Sequence, residues 1–597
     1  MRKGIAVSPG VTVGTAYCIH QIFVNPGTRR LAEDEVCHEL ARFDAARSAT
    51  ADDLHSLYQK VATQVGSKEA EVFRAHESIL RDPTFTAKVR HAIAEDRLSA
   101  PAALDRLLNE YATLFAATKD EYLRERLGDV RDVVVRISGR LSDVLAPDLD
   151  ALPGPLILVA EELLPSQVVT LGAREVQGIV TQTGGRTSHA AILARSRGIP
   201  AVSGVAGILH EVKNGDTLVV DGRAGHVLVN PDPDTLRAYR KLEREFFDLK
   251  DALAVNRDQP AVAGCGRRIK LLANINHLTD AKAAAAMGAA GVGLFRTEYL
   301  FLTHPNVPDE EEQLAAYREI IAASPGNAVT IRTLDLGGDK TIPYLGHTRE
   351  ANPFLGWRSI RLSFEHPEFF NKQIRAILRA AACDAGPQAS APPPGLTPPK
   401  QVNIMFPMIT TLEEMRRLRA MVDRARRSLV SESKPFGRVR VGMMLEVPAA
   451  AIAIDRLLDV VDFVSIGSND LVQYLMAADR DNPKVSHLCQ PLSPPVLRVL
   501  NHVIRMCRRA RKPVVLCGEM AGAPRAFVLL FGMGLRRFSM SPAFIPSIKD
   551  LTSHLTYEKA RSIAREALQM RTLGEVQHYM AEQIGQLAPN LKPLDTA

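Results

Sequence analysis

Several charged side chains follow short apolar segments in the C-terminal half of the chain, where they could act together on one small molecule. Arg296, Arg332 and Arg480 carry guanidinium groups, whose planar forks match both phosphate and carboxylate groups. Glu446 and Asp470 offer the carboxylate oxygens that magnesium takes, while water and substrate phosphate complete its coordination. The set indicates a site for a phosphorylated carboxylic acid and Mg²⁺, although each residue alone could equally form a stabilising ion pair.

A lone histidine, His189, stands in the stretch TQTGGRTSHAAILARSRGIPAV, which covers residues 181–202. The two glycines before it allow backbone N–H groups to approach a ligand closely, and the Thr-Ser pair can cap the helix that the following small residues predict. The imidazole would then face a helix N-terminus, which favours anions. Such a histidine could act as a nucleophile that carries a covalent group, or it could be an ordinary exposed or capped residue.

The charged residues can act together only if a scaffold brings distant segments to one edge. From residue 267 onward, the sequence has a regular pattern that predicts such a scaffold. Eight short apolar runs alternate there with helical stretches, which predicts a (β/α)8 TIM barrel over 267–597. Active sites of such barrels lie at the C-terminal ends of the strands, where the charged residues fall. The predicted strands are 269–275, 291–295, 328–333, 402–407, 439–445, 461–467, 513–518 and 536–541.

The N-terminal half indicates a different, composite organisation, so that the whole chain is expected to be a multidomain α/β protein. Strand-like sequence patterns at 1–31 and 146–231 predict one α/β domain. Apolar residues at steps of three and four predict an all-helical subdomain inserted at 32–145. Segment 232–266 predicts a linker helix followed by a glycine-rich break. The proline-rich stretch 384–400 interrupts the barrel pattern and predicts a disordered insertion.

Composition narrows the class of protein without naming a partner. The 597 residues are 46% hydrophobic and 24% charged, with no apolar run long enough to span a membrane and no signal-peptide pattern. Seven scattered cysteines without a Cys-x-x-Cys pair argue against a disulfide framework and favour a reducing cytoplasm. The net charge is +7, but the basic runs 415–427 and 505–512 fit exposed faces of amphipathic helices, and aromatic residues are too few to favour nucleic-acid binding.

The motifs resemble those of the phosphoenolpyruvate-utilising enzymes, and in particular the enzyme I family of the bacterial phosphoenolpyruvate:sugar phosphotransferase system. The similarity covers nearly the whole chain. It is carried by GIAVSPGVTVGTAY, GGRTSHAAILARSRGIPAV, GVGLFRTEYLFL, RTLDLGGDK, GMMLEVPAA, SIGSNDLVQYLMAADRDN and CGEMAGAPRA.

The resemblance implies a role for each matching residue. His189 would be phosphorylated on Nε2, and Cys517, which the residues alone present as a buried barrel cysteine, would donate a proton to give pyruvate. Arg296, Arg332, Asn469, Asp470 and Arg480 would bind phosphoenolpyruvate, and Glu446 and Asp470 would hold Mg²⁺.

The resemblance also implies partners and motion. The α/β domain that contains His189 would swivel on the 232–266 linker, the helical subdomain would dock a histidine-containing phosphocarrier protein, and the barrel would form a homodimer. No nucleic acid and no membrane insertion are expected. The same chemistry could feed a regulatory, nitrogen-type phosphorelay, and a scaffold that had lost catalysis is a further alternative. The 384–400 insertion and the basic pI of about 9.0 depart from the family pattern.

Overall fold

The chain folds into two compact units, Met1–Glu245 and Phe246–Ala597, so that the division falls inside the predicted linker segment. The protein is described by a computed structural model, and each unit is considered by itself. The model describes residues 2–8, 10–19, 30–64, 67–117, 121–141, 155–163, 176–183, 194, 199–222, 225–255, 257–302, 307–337, 350, 352–382, 400–480, 482 and 484–589.

The first unit is built on an eight-stranded mixed sheet with the order β1-β8-β7-β3-β4-β5-β6-β2. The pairs from β3 through β6 are parallel and the remaining pairs are antiparallel. All five residues of β4 are buried, as expected for a strand that is covered on both faces. The strands are β1 Arg2–Lys3, β2 Ile5–Ser8, β3 Val11–Ile19, β4 Leu156–Ala160, β5 Val176–Thr181, β6 Ala201–Ser203, β7 Thr217–Asp221 and β8 His226–Val229.

Five described helices lie in the chain between β3 and β4, which are themselves parallel neighbours in the sheet. The helices enclose an apolar core of their own that includes Phe43, Phe73 and Phe85. The helical set is therefore an insertion into the α/β fold, as the sequence predicts. The helices are α1 Val36–Gln64, α2 Ser67–Arg81, α3 Pro83–Ala94, α4 Ala100–Ala117 and α5 Glu121–Leu141.

Two further helices complete the segment that follows β6. The short α6, Ile208–Glu211, connects β6 to β7, and the long α7, Pro233–Val255, follows β8. Asp232 accepts hydrogen bonds at Oδ1 from the backbone N–H groups of Asp234 and Thr235, so α7 begins with a capped first turn. The linker segment thus contains the helix that its charged, periodic sequence predicts.

The second unit contains a closed barrel of eight parallel strands, in which each strand pairs with the next along the chain and the last pairs with the first. Apolar side chains fill the space between the strands and the surrounding helices. All eight strands that the apolar runs predict are present, so the TIM-barrel prediction is confirmed. The strands are β9 Lys270–Ile275, β10 Val292–Arg296, β11 Ala328–Arg332, β12 Gln401–Phe406, β13 Val439–Leu445, β14 Phe463–Ile466, β15 Val514–Leu516 and β16 Arg537–Met540.

Fourteen helices are described in the barrel unit, and several begin with reciprocal caps. Thr411 and Glu414 form a capping box, and Thr572 and Glu575 form another. The helices are α8 Leu278–Ala286, α9 Glu298–Leu302, α10 Glu310–Ala323, α11 Ile360–Glu365, α12 Pro367–Ala380, α13 Leu412–Ser431, α14 Pro448–Ile452, α15 Ile454–Leu457, α16 Ser468–Met476, α17 Pro494–Arg509, α18 Pro524–Met533, α19 Ile545–Ser553, α20 Tyr557–Ala567 and α21 Leu573–Leu587.

The basic runs lie on amphipathic helices, as their spacing predicts. Helix α17 buries Val503, Ile504 and Cys507 while Arg508 and Arg509 stay exposed. No described helix combines the length and the apolar character that a membrane crossing requires.

The proline-rich insertion falls almost entirely outside the described residues, because 383–399 are not among them. Its predicted last residue, Lys400, is an exception. The Lys400 ammonium group donates hydrogen bonds to the carbonyl oxygens of Ile321, Ala322 and Ser324 at the end of α10. The prediction of disorder is therefore wrong for this residue.

Candidate active site

The ends of β10 and β11 bring two of the predicted arginines side by side. Arg296 and Arg332 are paired residues in the parallel register of these strands. The hydroxyl of Thr297 donates a 2.9 Å hydrogen bond to the carbonyl oxygen of Arg332, which fixes the two strand ends to each other. The neighbouring strands therefore place two guanidinium groups at the C-terminal rim of the barrel.

Arg332 is buried and is held by two carboxylates. Its Nη2 lies 2.8 Å from Glu298 Oε1, and its Nη1 lies 2.9 Å from Asp335 Oδ2. Burial by itself would lower the pKa of this guanidinium, but Glu298 and Asp335 more than offset that effect and keep it raised. Arg332 is consequently a fixed cation.

Arg296 is in a different electrostatic situation. Burial and then the positive charge of Arg332 lower the pKa of Arg296. Among the described residues, no carboxylate lies within 4.0 Å of its guanidinium group. This is the environment expected of a cation whose counter-charge is supplied by a bound anion.

Three buried carboxylates, Asp335, Glu446 and Asp470, converge on the same rim. Each offers one oxygen, and these oxygens all lie within 4.8 Å of one another. Glu446 Oε1 accepts a 2.6 Å hydrogen bond from the backbone N–H of Met408, which orients the side chain.

The electrostatics of this acidic triad fit a divalent cation. Burial, followed by repulsion from Asp470 and Asp335, raises the pKa of Glu446 to about 8. Asp470 Oδ1 is buried and accepts no hydrogen bond from the residues that the structure describes, although it lies 3.3 Å from Nη1 of Arg480. Because the three groups are hard oxygen donors whose charges repel one another, a bound cation would relieve their repulsion.

Arg358 is part of this cluster, although no pattern in the sequence marks it. Its Nη2 lies 3.1 Å from Asp335 Oδ1 and 3.4 Å from Asp470 Oδ2, so that it bridges two of the carboxylates. Burial would lower the pKa of Arg358, but Asp335 and Asp470 keep it raised. The rim therefore holds a dense, alternating array of positive and negative side chains.

Cys517 follows β15 and points its sulfur toward β14. The Ser465 hydroxyl donates to Cys517 Sγ at 3.2 Å, and the thiol lies 3.4 Å from the Ile466 carbonyl oxygen, to which it can donate. Burial raises the pKa of this thiol to about 11. The side chain accordingly keeps its proton at neutral pH.

Two asparagines hold the backbone that runs from Cys517 to Glu519. Asn274 on β9 donates a 2.8 Å hydrogen bond to the Cys517 carbonyl oxygen, and Ser539 donates to Asn274 Oδ1 at 2.6 Å. Asn469 at the start of α16 accepts a 3.0 Å hydrogen bond from the backbone N–H of Glu519. Residues from four different strand ends are thus joined around the thiol.

The barrel brings together every predicted site residue that lies in it: Arg296, Arg332, Glu446, Asn469, Asp470, Arg480 and Cys517. It adds Glu298, Asp335 and Arg358 to them. The first two of these follow predicted strands, and their positions at strand ends were the available signal. His189 lies outside the described residues.

Comparison with known proteins gives a consistent family. Three family models match: "PEP-utilising enzyme, N-terminal" over 3–126, "PEP-utilising enzyme, mobile domain" over 152–225 and "PEP-utilising enzyme, PEP-binding domain" over 250–557.

Relatives match over nearly their full length. The phosphoenolpyruvate-protein phosphotransferase of Haemophilus influenzae is 36% identical over 98% of this chain and 99% of its own. The protein of the same name from Bacillus subtilis is 36% identical over 97% of this chain and 99% of its own. A solution structure of an enzyme I protein is 35% identical, covers 41% of this chain and 100% of that chain, and has a TM-score of 0.35. The chain therefore belongs to the PEP-utilising enzymes, among the phosphoenolpyruvate-protein phosphotransferases.

Proposed function

We propose that the protein transfers the phosphoryl group of phosphoenolpyruvate to its own His189 and then to a histidine-containing phosphocarrier protein, releasing pyruvate. This is the first step of the sugar phosphotransferase system. The observation that carries the proposal is the barrel rim, where Arg296, which has no carboxylate within 4.0 Å among the described residues, lies on the same rim as a buried acidic triad. The family and the names of the relatives support the same reaction.

The arginines would position the substrate. Arg296, which has no carboxylate within 4.0 Å among the described residues, is suited to take an anionic group, and Arg332 stands beside it on the next strand. Arg480 and Asn469 would complete the contacts to phosphate and carboxylate. Guanidinium forks of this kind hold such groups in a fixed orientation, which is the main requirement of phosphoryl transfer.

Glu446 and Asp470 would hold Mg²⁺, with Asp335 as a neighbouring oxygen donor. When bound, the ion would neutralise charge on the transferring phosphoryl group. The chain's own contribution is to orient these carboxylates, as the Met408 N–H does for Glu446.

The transfer would break the bond between phosphorus and the enol oxygen and form a bond between phosphorus and Nε2 of His189. The electron pair of the broken bond leaves with pyruvate enolate. Cys517 would then give its proton to the enolate carbon, and the resulting thiolate would recover a proton from solvent. The raised pKa of about 11 keeps the thiol protonated until that moment.

The remaining assignments follow the family. The helical insertion, 32–145, would dock the phosphocarrier, and segment 232–266, which contains α7, would act as the hinge between units. The barrel would form the homodimer interface. The six cysteines that the structure describes are free thiols, in keeping with a reducing cytoplasm.

The test is phosphorylation by radiolabelled phosphoenolpyruvate with and without Mg²⁺, followed by peptide mapping and addition of sugar-type or nitrogen-type phosphocarrier proteins. Acid-labile label that requires Mg²⁺, maps to His189 and passes to the sugar-type carrier is the expected result. Label that passes only to the nitrogen-type carrier would favour the regulatory relay. A protein that takes up no label would contradict the proposed activity.

A further inference from the structure

A cleft lined by basic side chains lies at the end of the barrel where strands β9, β15 and β16 begin. Its volume is about 290 Å³. Arg508 belongs to the basic run 505–512, which the proposed reaction does not use. The lining residues are Arg267, Arg508, Lys512, Val514, Gly534, Arg536 and Arg537.

The cleft is separate from the candidate active site because the barrel strands are all parallel. Arg267 precedes β9, Lys512 precedes β15, and Arg537 is the first residue of β16. The substrate-binding side chains follow the opposite ends of the strands. A six-residue strand such as β9 spans roughly 20 Å, so one small ligand cannot reach both places.

The positive charge in the cleft is not neutralised by the protein. Among the described residues, no carboxylate forms an ion pair within 4.0 Å of the five cations that line it. Arg267 and Arg536 instead stack on Tyr557, with their guanidinium carbons 4.7 and 4.5 Å from the ring centroid. The partner at the centre of the cluster is therefore an aromatic ring and not an anion.

The pKa values of the surrounding groups agree with an excess of positive charge. Burial alone would raise the pKa of Tyr557, yet the nearby Arg508 and Arg536 lower it overall. Burial and then Arg440 lower the pKa of Arg537. A bound anion would balance this positive charge, so it would raise the pKa values of Tyr557 and Arg537.

Structural roles account for only part of the cluster. Arg536 Nη1 donates to the carbonyl oxygens of Phe531 and Leu535, and Lys512 Nζ donates to that of Val461. Arg508 also lies in the last turn of α17, where a cation is favoured by the helix dipole. Arg508 and Arg536 also hydrogen bond to the Tyr557 side chain. None of these partners is a carboxylate, so the positive charge of the four arginines and the lysine is left without a counter-charge among the described residues.

We propose that this cleft is a second anion site, which binds a small molecule bearing phosphate groups. Guanidinium groups bind phosphate through paired N–H donors, and several from different elements can surround a multiply charged ligand. The volume of about 290 Å³ lies just below the range for small-molecule pockets, roughly 300–1,000 Å³, which suits a compact ligand. The site goes beyond the proposed phosphoryl transfer and does not depend on it.

The first test is calorimetric titration of the full-length protein with inorganic pyrophosphate in the absence of Mg²⁺. An Arg296→Gln background weakens competing binding at the catalytic rim. In that background, Arg508→Gln combined with Arg537→Gln should weaken pyrophosphate binding at least about tenfold, since two charged contacts are lost. Arg509→Gln, which removes an exposed charge from the same end of α17 but does not line the cleft, should change binding less than about twofold.

A second measurement uses the wild-type protein and does not depend on the folding of variants. Phenylglyoxal modifies exposed arginines, and mass spectrometry locates the modified positions. Pyrophosphate should protect Arg508 and Arg537 but not Arg509. Absence of binding in the Arg296→Gln background, equal affinity in the cleft variant and its control, or modification of Arg508 that pyrophosphate leaves unchanged would each overturn the proposal.

Discussion

At the scale of single residues, the same chemical group behaves differently according to what surrounds it. Arg332 has two carboxylate partners within 3 Å, whereas its neighbour Arg296 has none among the described residues and its pKa is lowered. Cys517 is buried against Ser465, whereas Cys265 is exposed. Residue type alone would not separate these roles, because the separation comes from burial and nearby charge.

Replacing Cys517 by alanine should separate binding from turnover. Phosphoenolpyruvate affinity should stay within a few-fold of the original value, because the thiol is not among the groups proposed to hold the substrate. Pyruvate formation should fall by about 10²–10⁴-fold, the usual contribution of a positioned general acid. Titration calorimetry and a coupled pyruvate assay measure the two effects.

The matched control is Cys507→Ala, which removes another buried thiol, in α17 and away from the rim. It should retain normal turnover. Near-normal pyruvate formation by the Cys517→Ala protein would contradict the acid role.

Cys517 and the exposed Cys265 should also differ in their reaction with iodoacetamide. Only the thiolate reacts, and a thiol with a pKa of about 11 is roughly 0.1% ionised at pH 8. The pKa of Cys265 is lowered, first by a hydrogen bond with the backbone of Tyr557, so this exposed residue should react first. Raising the pH toward 10 should accelerate labelling of Cys517 more than that of Cys265.

Peptide mapping of a time course at both pH values checks this order. If Cys517 were labelled as fast as Cys265 at pH 8, its burial and raised pKa would not describe the protein in solution. A Cys265→Ser protein should keep full pyruvate formation, because that residue belongs to no part of the rim.

At the scale of elements, the rim depends on polar contacts behind it as well as on strand ends. Gln373 in α12 is fully buried. Its Oε1 accepts from the Leu334 N–H at 3.0 Å, and its Nε2 donates to Thr297 Oγ1 at 3.2 Å and to the Tyr317 hydroxyl at 3.1 Å. One side chain thus ties the ends of β10 and β11 together, directly behind the paired arginines.

Gln373→Leu should destabilise the barrel unit by about 2–3 kcal/mol, because the Leu334 N–H loses its partner in a buried site. Urea unfolding of the full-length protein, followed through the transition of the barrel unit, measures the change. Gln569→Leu, at an exposed position, is the control and should change the free energy of unfolding by less than about 0.5 kcal/mol. An equal effect of the two substitutions would show that the Gln373 contacts are not needed.

The strands show how much of the fold the sequence could predict. Apolar runs between helical stretches gave all eight barrel strands, since a strand buried on both faces is a continuous apolar segment. Strand-end position then pointed to Arg296, Arg332 and Glu446. Individual strands of the first unit are harder to predict, because β1 and β6 have only two and three residues and segments this short carry no periodicity.

Arg358 shows why the rest of the site escaped prediction. It lies in the segment before α11 and not directly after a strand, so neither position nor spacing marks it. Only the folded barrel brings it to Asp335 and Asp470, which are separated from it by 23 and 112 residues. Contacts of this kind depend on loop paths, which local sequence patterns do not specify.

At the scale of the whole molecule, the chain divides its chemistry between two units. The residues proposed to bind the substrate and the acidic triad belong to Phe246–Ala597, while His189, the proposed phosphoryl acceptor, falls by number in Met1–Glu245. If each unit performs its own part, substrate binding and phosphoryl acceptance can be separated by mutation.

His189→Ala should abolish labelling by radiolabelled phosphoenolpyruvate but leave its binding to the barrel unchanged within about twofold. The reason is that the imidazole removed is the proposed phosphoryl acceptor, and His189 falls by number in the other unit. Acid-labile labelling and titration calorimetry provide the two readouts. A large loss of affinity would show that His189 itself takes part in holding the substrate.

The two sheets of the protein also differ in how they end. The barrel closes on itself, so it presents no free strand edge, whereas the sheet of the first unit is open and ends in β1 and β2. These edge strands have only two and four residues, and both residues of β1, Arg2 and Lys3, are exposed and basic. Short edges, one of them charged, offer little for another chain to pair with. We therefore expect the open sheet to resist recruiting further copies into cross-β aggregates at high protein concentration.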